Sequence, residues 1–96
     1  MESIILEAAG DEVEDFLADN GFPHIQVRKR GQHLILFSEE QGEKVNRARM
    51  SVLDSTTFGL SLANHLGKWE PTLFSDTPKG LARLLIDQFP FTLTDL

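Results

Sequence analysis

Hydrophobic and polar positions alternate through the middle of this chain, between two segments that have helical spacing instead. Apolar residues at every second position are typical of half-buried strands. They occur at Ile25 and Val27, at Ala48, Met50 and Val52, and at Phe58, Leu60 and Leu62. The run Leu34–Phe37 is apolar on both parities, which predicts a central strand covered on both faces.

Short polar connections separate these strands. We predict turns at Gly31-Gln32 and at residues 54–57, and a charged loop over Glu39–Lys44 that pivots on Gly42. A short fifth strand is predicted around Trp69, and Pro71 would confine it to a sheet edge. Connections this short favour an antiparallel meander, since parallel strands need crossovers of about a dozen residues.

The first segment, Ser3–Asn20, has the spacing of a helix. Its predicted core stripe is Ile5, Ala9, Val13, Phe16 and Leu17. Gly10 destabilises such a helix by about 1 kcal/mol relative to alanine, which weakens this prediction. The alternative is a helix that starts at Asp11, with residues 3–8 forming a strand or an extended arm. Asn20-Gly21 supplies a left-handed cap at the other end.

The last helix has clear boundary signals. Thr77 is a good N-cap and Pro78 suits the first helical position. Its core stripe is predicted at Leu81, Leu84 and Leu85, continuing to Gln88 or Phe89, and Pro90 ends it. The tail with Phe91 and Leu93 either extends along the sheet or covers an open end of the core.

These elements predict one α+β domain over residues 1–96. It is a two-layer sandwich with an antiparallel meander of four to five strands. The N-terminal and C-terminal helices pack on one face of that sheet.

Charge is distributed unevenly in this acidic chain, whose formal net charge is −6. Residues 1–23 carry seven carboxylates and no basic residue, whereas residues 24–64 carry six of the nine basic residues. Overall acidity argues against indiscriminate nucleic-acid binding. The chain has no cysteine, signal-peptide pattern or membrane-length apolar run, so we expect a soluble cytoplasmic protein.

Four arginines form the main candidate site. Arg28 and Arg30 share one parity of the first strand, and Arg47 and Arg49 share one parity of the third. If all four project from the side of the sheet opposite the helices, they could hold phosphate or carboxylate groups through bidentate contacts. The alternative is a hydrated outer face with the arginines paired to nearby glutamates.

Trp69 is the second candidate, either as an anchor for a partner or as a cover for the core. The acidic first helix either mimics the charge of nucleic acid or is simply solvated. The histidines His24, His33 and His65 are too scattered for a ligand set. We therefore expect no metal, no cofactor and no catalytic residue.

The order of a helix, three strands and a helix is similar to the double-stranded RNA-binding domain. That family has a lysine-rich start to its last helix. Here the matching segment is Pro78–Arg83 with Asp76 before it, and the first helix is strongly acidic. The likeness is one of topology, and we do not infer RNA binding from it.

The function expected from the sequence is a non-enzymatic module that binds another protein or a second copy of itself. The alternative is binding of an anionic ligand or nucleic acid through the arginines. No membrane partner is expected.

Overall fold

A computed structural model describes residues 3–94 of the chain and confirms the predicted α+β architecture. Its elements are α1 (Ser3–Asp19), β1 (Gln26–Arg30), β2 (His33–Glu40), β3 (Glu43–Val52), β4 (Phe58–Ala63), β5 (Trp69–Asp76), α2 (Pro78–Gln88) and a 3-10 turn (Pro90–Thr92). The five strands form one antiparallel sheet in sequence order, so β1 and β5 are its edges. This is two strands more than the RNA-binding topology has.

The two helices contact each other, and the core lies between them and one side of the sheet. We call this side the inner face and the opposite side the outer face. The inner face contributes Leu34, Leu36, Ala48, Met50, Phe58 and Leu60 to the core, and the helices contribute Leu6, Val13, Leu17, Leu81, Ala82 and Leu85. None of these side chains is more than 1% exposed.

Helix α1 includes residues 3–8, which excludes the alternative start at Asp11. Its buried stripe is Leu6, Gly10, Val13 and Leu17, so the predicted position of Ile5 was wrong. Ile5 is 53% exposed. A Cβ on Gly10 would lie 3.3 Å from Leu34 Cδ2, so the missing side chain lets the helix approach the sheet closely.

Local capping chemistry ends α1 and begins α2 as predicted. The Phe22 N–H donates to Leu17 O at 2.9 Å, and Gly21 has a φ of 96°, the geometry of a Schellman cap. The Gly80 N–H donates to Thr77 Oγ1 at 3.1 Å. Both helix ends therefore follow from a few adjacent residues.

The predicted charged loop over Glu39–Lys44 was wrong. Most of its residues extend β2 and β3, and the turn consists of Gln41 and Gly42. Both turn residues have positive φ, at 53° and 82°. This is the pattern of a two-residue turn whose twist matches that of the flanking strands.

The chain covers its own sheet at two places. Glu14 Oε2 of α1 accepts a hydrogen bond from the Val27 N–H of edge strand β1 at 2.8 Å. The 3-10 turn places Leu93 in the core with no exposed area, so the tail covers an end of the core. No helix within residues 3–94 is long and apolar enough to cross a membrane.

Candidate functional site

A row of paired residues crosses the outer face through all five strands. Arg28 pairs with Ile35, Ile35 with Arg49, Arg49 with Ser61, and Ser61 with Pro71. Residues of one row in an antiparallel sheet project to the same side. Arg28 and Arg49 therefore lie on either side of Ile35, about 10 Å apart at the usual strand spacing.

Aromatic side chains hold the cations of this face in place. The Arg28 guanidinium carbon lies 5.6 Å from the Phe37 ring centroid, and Lys44 Nζ lies 5.4 Å from the same centroid. The Arg49 guanidinium carbon lies 5.0 Å from the Trp69 ring centroid. These distances are within the range of cation–π attraction.

The arginine side chains also shield apolar residues on this face. Ile35 is 4% exposed and Phe37 is 6% exposed, although both helices pack on the inner face. The Nε atoms of Arg28 and Arg49 have no accessible surface and no hydrogen-bond partner. The side chains thus lie along the sheet and cover apolar surface, as long charged side chains often do.

Arg30 is exposed at the end of β1 and pairs with His33. His33 Nδ1 lies 2.8 Å from Ser51 Oγ. Burial and, to a lesser degree, the positive charge of Arg49 lower the pKa of His33 below its ordinary value. The imidazole therefore tends to be neutral at neutral pH, and the permanent cations dominate the charge of the face.

Arg47 does not lie with the other three arginines, and this part of the prediction was wrong. A bulge in β3 shifts the register, so that Leu36 pairs with Ala48 and Phe37 pairs with Asn46. Arg47, between Asn46 and Ala48, has no partner residue on β2 in this register, and it is only 5% exposed. The bulge reverses the direction that simple alternation assigns to this side chain.

The buried Arg47 guanidinium joins β2 to the tail. Its Nε and Nη2 donate to Ser38 Oγ at 3.0 and 2.8 Å, and Nη2 lies 3.0 Å from Glu40 Oε1. Its Nη1 donates to the backbone carbonyls of Thr92 and Thr94. Arg47 is thus a structural residue whose donors are already occupied.

The part of the outer face formed by β1–β3 is basic, and the residues predicted from the sequence include only some of its cations. It carries Arg28, Arg30, Lys44 and Arg49 against one carboxylate, Glu39. Lys44 was missed because its segment was predicted as a loop. Trp69 is half-buried beside Arg49 at the β5 edge and is not part of the core.

The same face changes character towards β5. There Leu53 and Leu73 are exposed beside Pro71, and they line a shallow cleft with Gly59 and Ser61. Leu53 carbon atoms approach to 3.5 Å from where a Cβ on Gly59 would lie. The face is therefore basic and aromatic at β1–β3 and apolar at β4–β5.

The opposite side of the molecule is acidic. The exposed surface of α1 carries Glu7, Asp11, Glu12, Asp15 and Asp19, and Lys79 of α2 lies beside it. Within residues 3–94, no group of three or more potential ligands is placed to hold a metal ion. The exposed side of α1 and the outer face of the sheet thus carry opposite charge.

No known protein family, curated protein or solved structure matches this chain. Any inference about its function therefore rests on the geometry and charge of the outer face.

Proposed function

We propose that this protein is a non-enzymatic binding module whose outer sheet face holds an acidic segment of a protein. The observation that carries the proposal is the set of four cations against one carboxylate on a face that neither helix covers. Within residues 3–94, neither Arg28 nor Arg49 forms an ion pair. Their charge is available to a partner.

The face suits carboxylates for two physical reasons. Guanidinium groups bind carboxylates through parallel N–H donors, and such charge-assisted hydrogen bonds are stronger than neutral ones. Contacts of Arg28 with Phe37 and of Arg49 with Trp69 restrict both side chains before binding. Less side-chain entropy is then lost when the partner is bound.

The proposed role is binding because the face presents guanidinium and ammonium groups, which attract anions and donate hydrogen bonds to them. We further propose a cytoplasmic location, which suits a chain without cysteine.

A fluorescein-labelled glutamate-rich peptide tests the proposal by fluorescence anisotropy at low salt. The double variant Arg28→Gln/Arg49→Gln should weaken binding at least about tenfold, the equivalent of one charge-assisted contact of about 1.4 kcal/mol. The matched control is Lys79→Gln/Arg83→Gln on α2, which removes the same charge from the other layer. Absence of binding by the wild type, or an equal loss in the control, would overturn the proposal.

Binding of nucleic acid by the same face is the second candidate, favoured by the aromatic residues among the cations. Single-strand binding relies on bases stacking on open aromatic rings. Here Phe37 is 6% exposed and has cations over its ring. A labelled single-stranded oligonucleotide in the same assay should bind more weakly than the peptide, and the reverse order would favour this second candidate.

A further inference from the structure

We infer that the acidic segment held by the outer face is helix α1 of a second copy of this chain. The inference rests on the proposed function and names its partner. The outer face of one copy then meets α1 of the next in a head-to-tail contact. Charge and apolar character match along these two surfaces of one molecule.

The outer face presents its groups in a fixed order across the strands. The apolar cleft extends from Leu53, just after β3, across β4 to Leu73 of β5. Counted from Leu73, Arg49 lies two strands away and Arg28 lies four strands away. With about 4.8 Å between neighbouring strands, these distances are roughly 10 Å and 19 Å.

Helix α1 presents the complementary order along its exposed side. Ile4 is 72% exposed, and Asp11, Asp15 and Asp19 follow it at helical spacing on the exposed surface. At 1.5 Å per residue, these carboxylates lie about 10, 16 and 22 Å beyond Ile4. If Ile4 packs against Leu73 in the cleft, Asp11 meets Arg49, and Arg28 falls between Asp15 and Asp19.

Charge selects this arrangement over a face-to-face dimer. Two outer faces pressed together would oppose four cations with four cations, and like charges at an interface are unfavourable. Two acidic helices would repel in the same way. A head-to-tail contact pairs the basic face with the acidic helix and leaves a free surface of each kind at the ends, so it permits further addition.

The size of the face predicts a weak contact. Five strands and about five residues of each cover roughly 400 Å² in projection, below the roughly 800 Å² that each partner buries in a stable complex. Association should therefore appear at high protein concentration and low salt. It should weaken at least tenfold when salt rises from about 0.01 M to about 0.5 M, because the Debye length falls from about 30 Å to a few ångströms.

Sedimentation velocity on the full chain, from about 1 μM to about 1 mM at low salt, tests the inference. Two charge-reversed variants test the outer face and helix α1 independently. Arg28→Glu/Arg49→Glu reverses the face, and Asp11→Lys/Asp15→Lys reverses the helix. Each alone should remain monomeric, whereas their mixture should associate. The unchanged helix of the first variant then meets the unchanged face of the second, and the reversed face of the first meets the reversed helix of the second.

The chain that carries both reversals should self-associate again. A urea unfolding curve checks that each variant is folded, and Asp11→Asn/Asp15→Asn replaces the helix variant if it is not. A monomer at every concentration and salt, or a mixture that stays monomeric, would overturn the inference. If the wild type still binds the glutamate-rich peptide in that case, the proposed function stands with a different partner. If it does not, both fail.

Discussion

Replacement of Arg47 by methionine tests whether this buried guanidinium ties the sheet to the tail. Methionine fills similar space but removes the charge and all five donated hydrogen bonds, which end on Ser38, Glu40, Thr92 and Thr94. Glu40 then lacks its cation, and two carbonyls lose a donor.

The expected loss of stability follows from the burial of the Arg47–Glu40 ion pair. Removing one partner of a buried ion pair typically costs about 3–5 kcal/mol. Because Glu40 retains 27% exposure, water partly replaces the lost cation, and we expect the lower end, about 3 kcal/mol. That is a large share of the roughly 5–15 kcal/mol by which domains are usually stable.

Urea unfolding of the Arg47→Met variant measures this loss. With a slope of about 1–3 kcal/mol per molar urea, the midpoint should fall by roughly 1–3 M. The matched control is Arg49→Met, from the same strand but the outer face, which should change stability by less than about 1 kcal/mol. The double variant Arg47→Met/Glu40→Gln should be less destabilised than the sum of its single changes. Equal midpoints for Arg47→Met and Arg49→Met would refute the structural role of Arg47.

Four further predictions concern the helices and the outer face. Gly10→Leu should destabilise the fold by about 1–3 kcal/mol through overpacking against Leu34, whereas Gly10→Ala should change it by less; thermal unfolding compares them. The pKa of His33 is lowered on folding, so the unfolded chain binds more protons at this residue. The contribution of His33 to the free energy of unfolding should be fully present above pH about 6.5 and should decrease as the pH falls below that value. Arg49→Gln should raise the pKa of His33 in an NMR titration, and no change would exclude charge as a cause. Thr77→Ala should cost about 1 kcal/mol, measured by urea unfolding, with Thr77→Ser close to wild type.

Elements set by adjacent residues could be predicted from the sequence. The Thr77-Pro78 start of α2 and the Asn20-Gly21 end of α1 depend on local backbone chemistry, and both appear in the structure. The strand order also followed, because short connections leave neighbours in sequence as neighbours in the sheet.

Features set by distant contacts were harder to predict. Ile4, Ile5 and Leu6 are all apolar, and their pattern alone does not show which one faces the sheet. Leu6 is buried because Gly10, one turn later, approaches Leu34 of β2. A residue that only lowered helix propensity in the sequence is thus a point of close approach between the two layers.

The candidate site was predicted in part for a related reason. Alternation places Arg47 beside Arg49 only if the strand is regular, and the bulge in β3 interrupts the period of two. Nothing in the local sequence marks it, since the hydrogen-bond acceptors of Arg47 include carbonyls about 45 residues away. By contrast, Arg28 and Arg49 lie on regular stretches of strand, and their shared face could be predicted.

The meander also has a consequence for how the chain folds. Each strand pairs with the one before it, so loop-closure entropy is small at every step and the sheet should assemble rapidly, on the millisecond scale or faster. The long-range contacts are the exception, since α1 packs against α2 and Leu93 O meets His24 Nε2 across 69 residues of sequence. We expect these contacts to form last and to set the unfolding rate more than the folding rate.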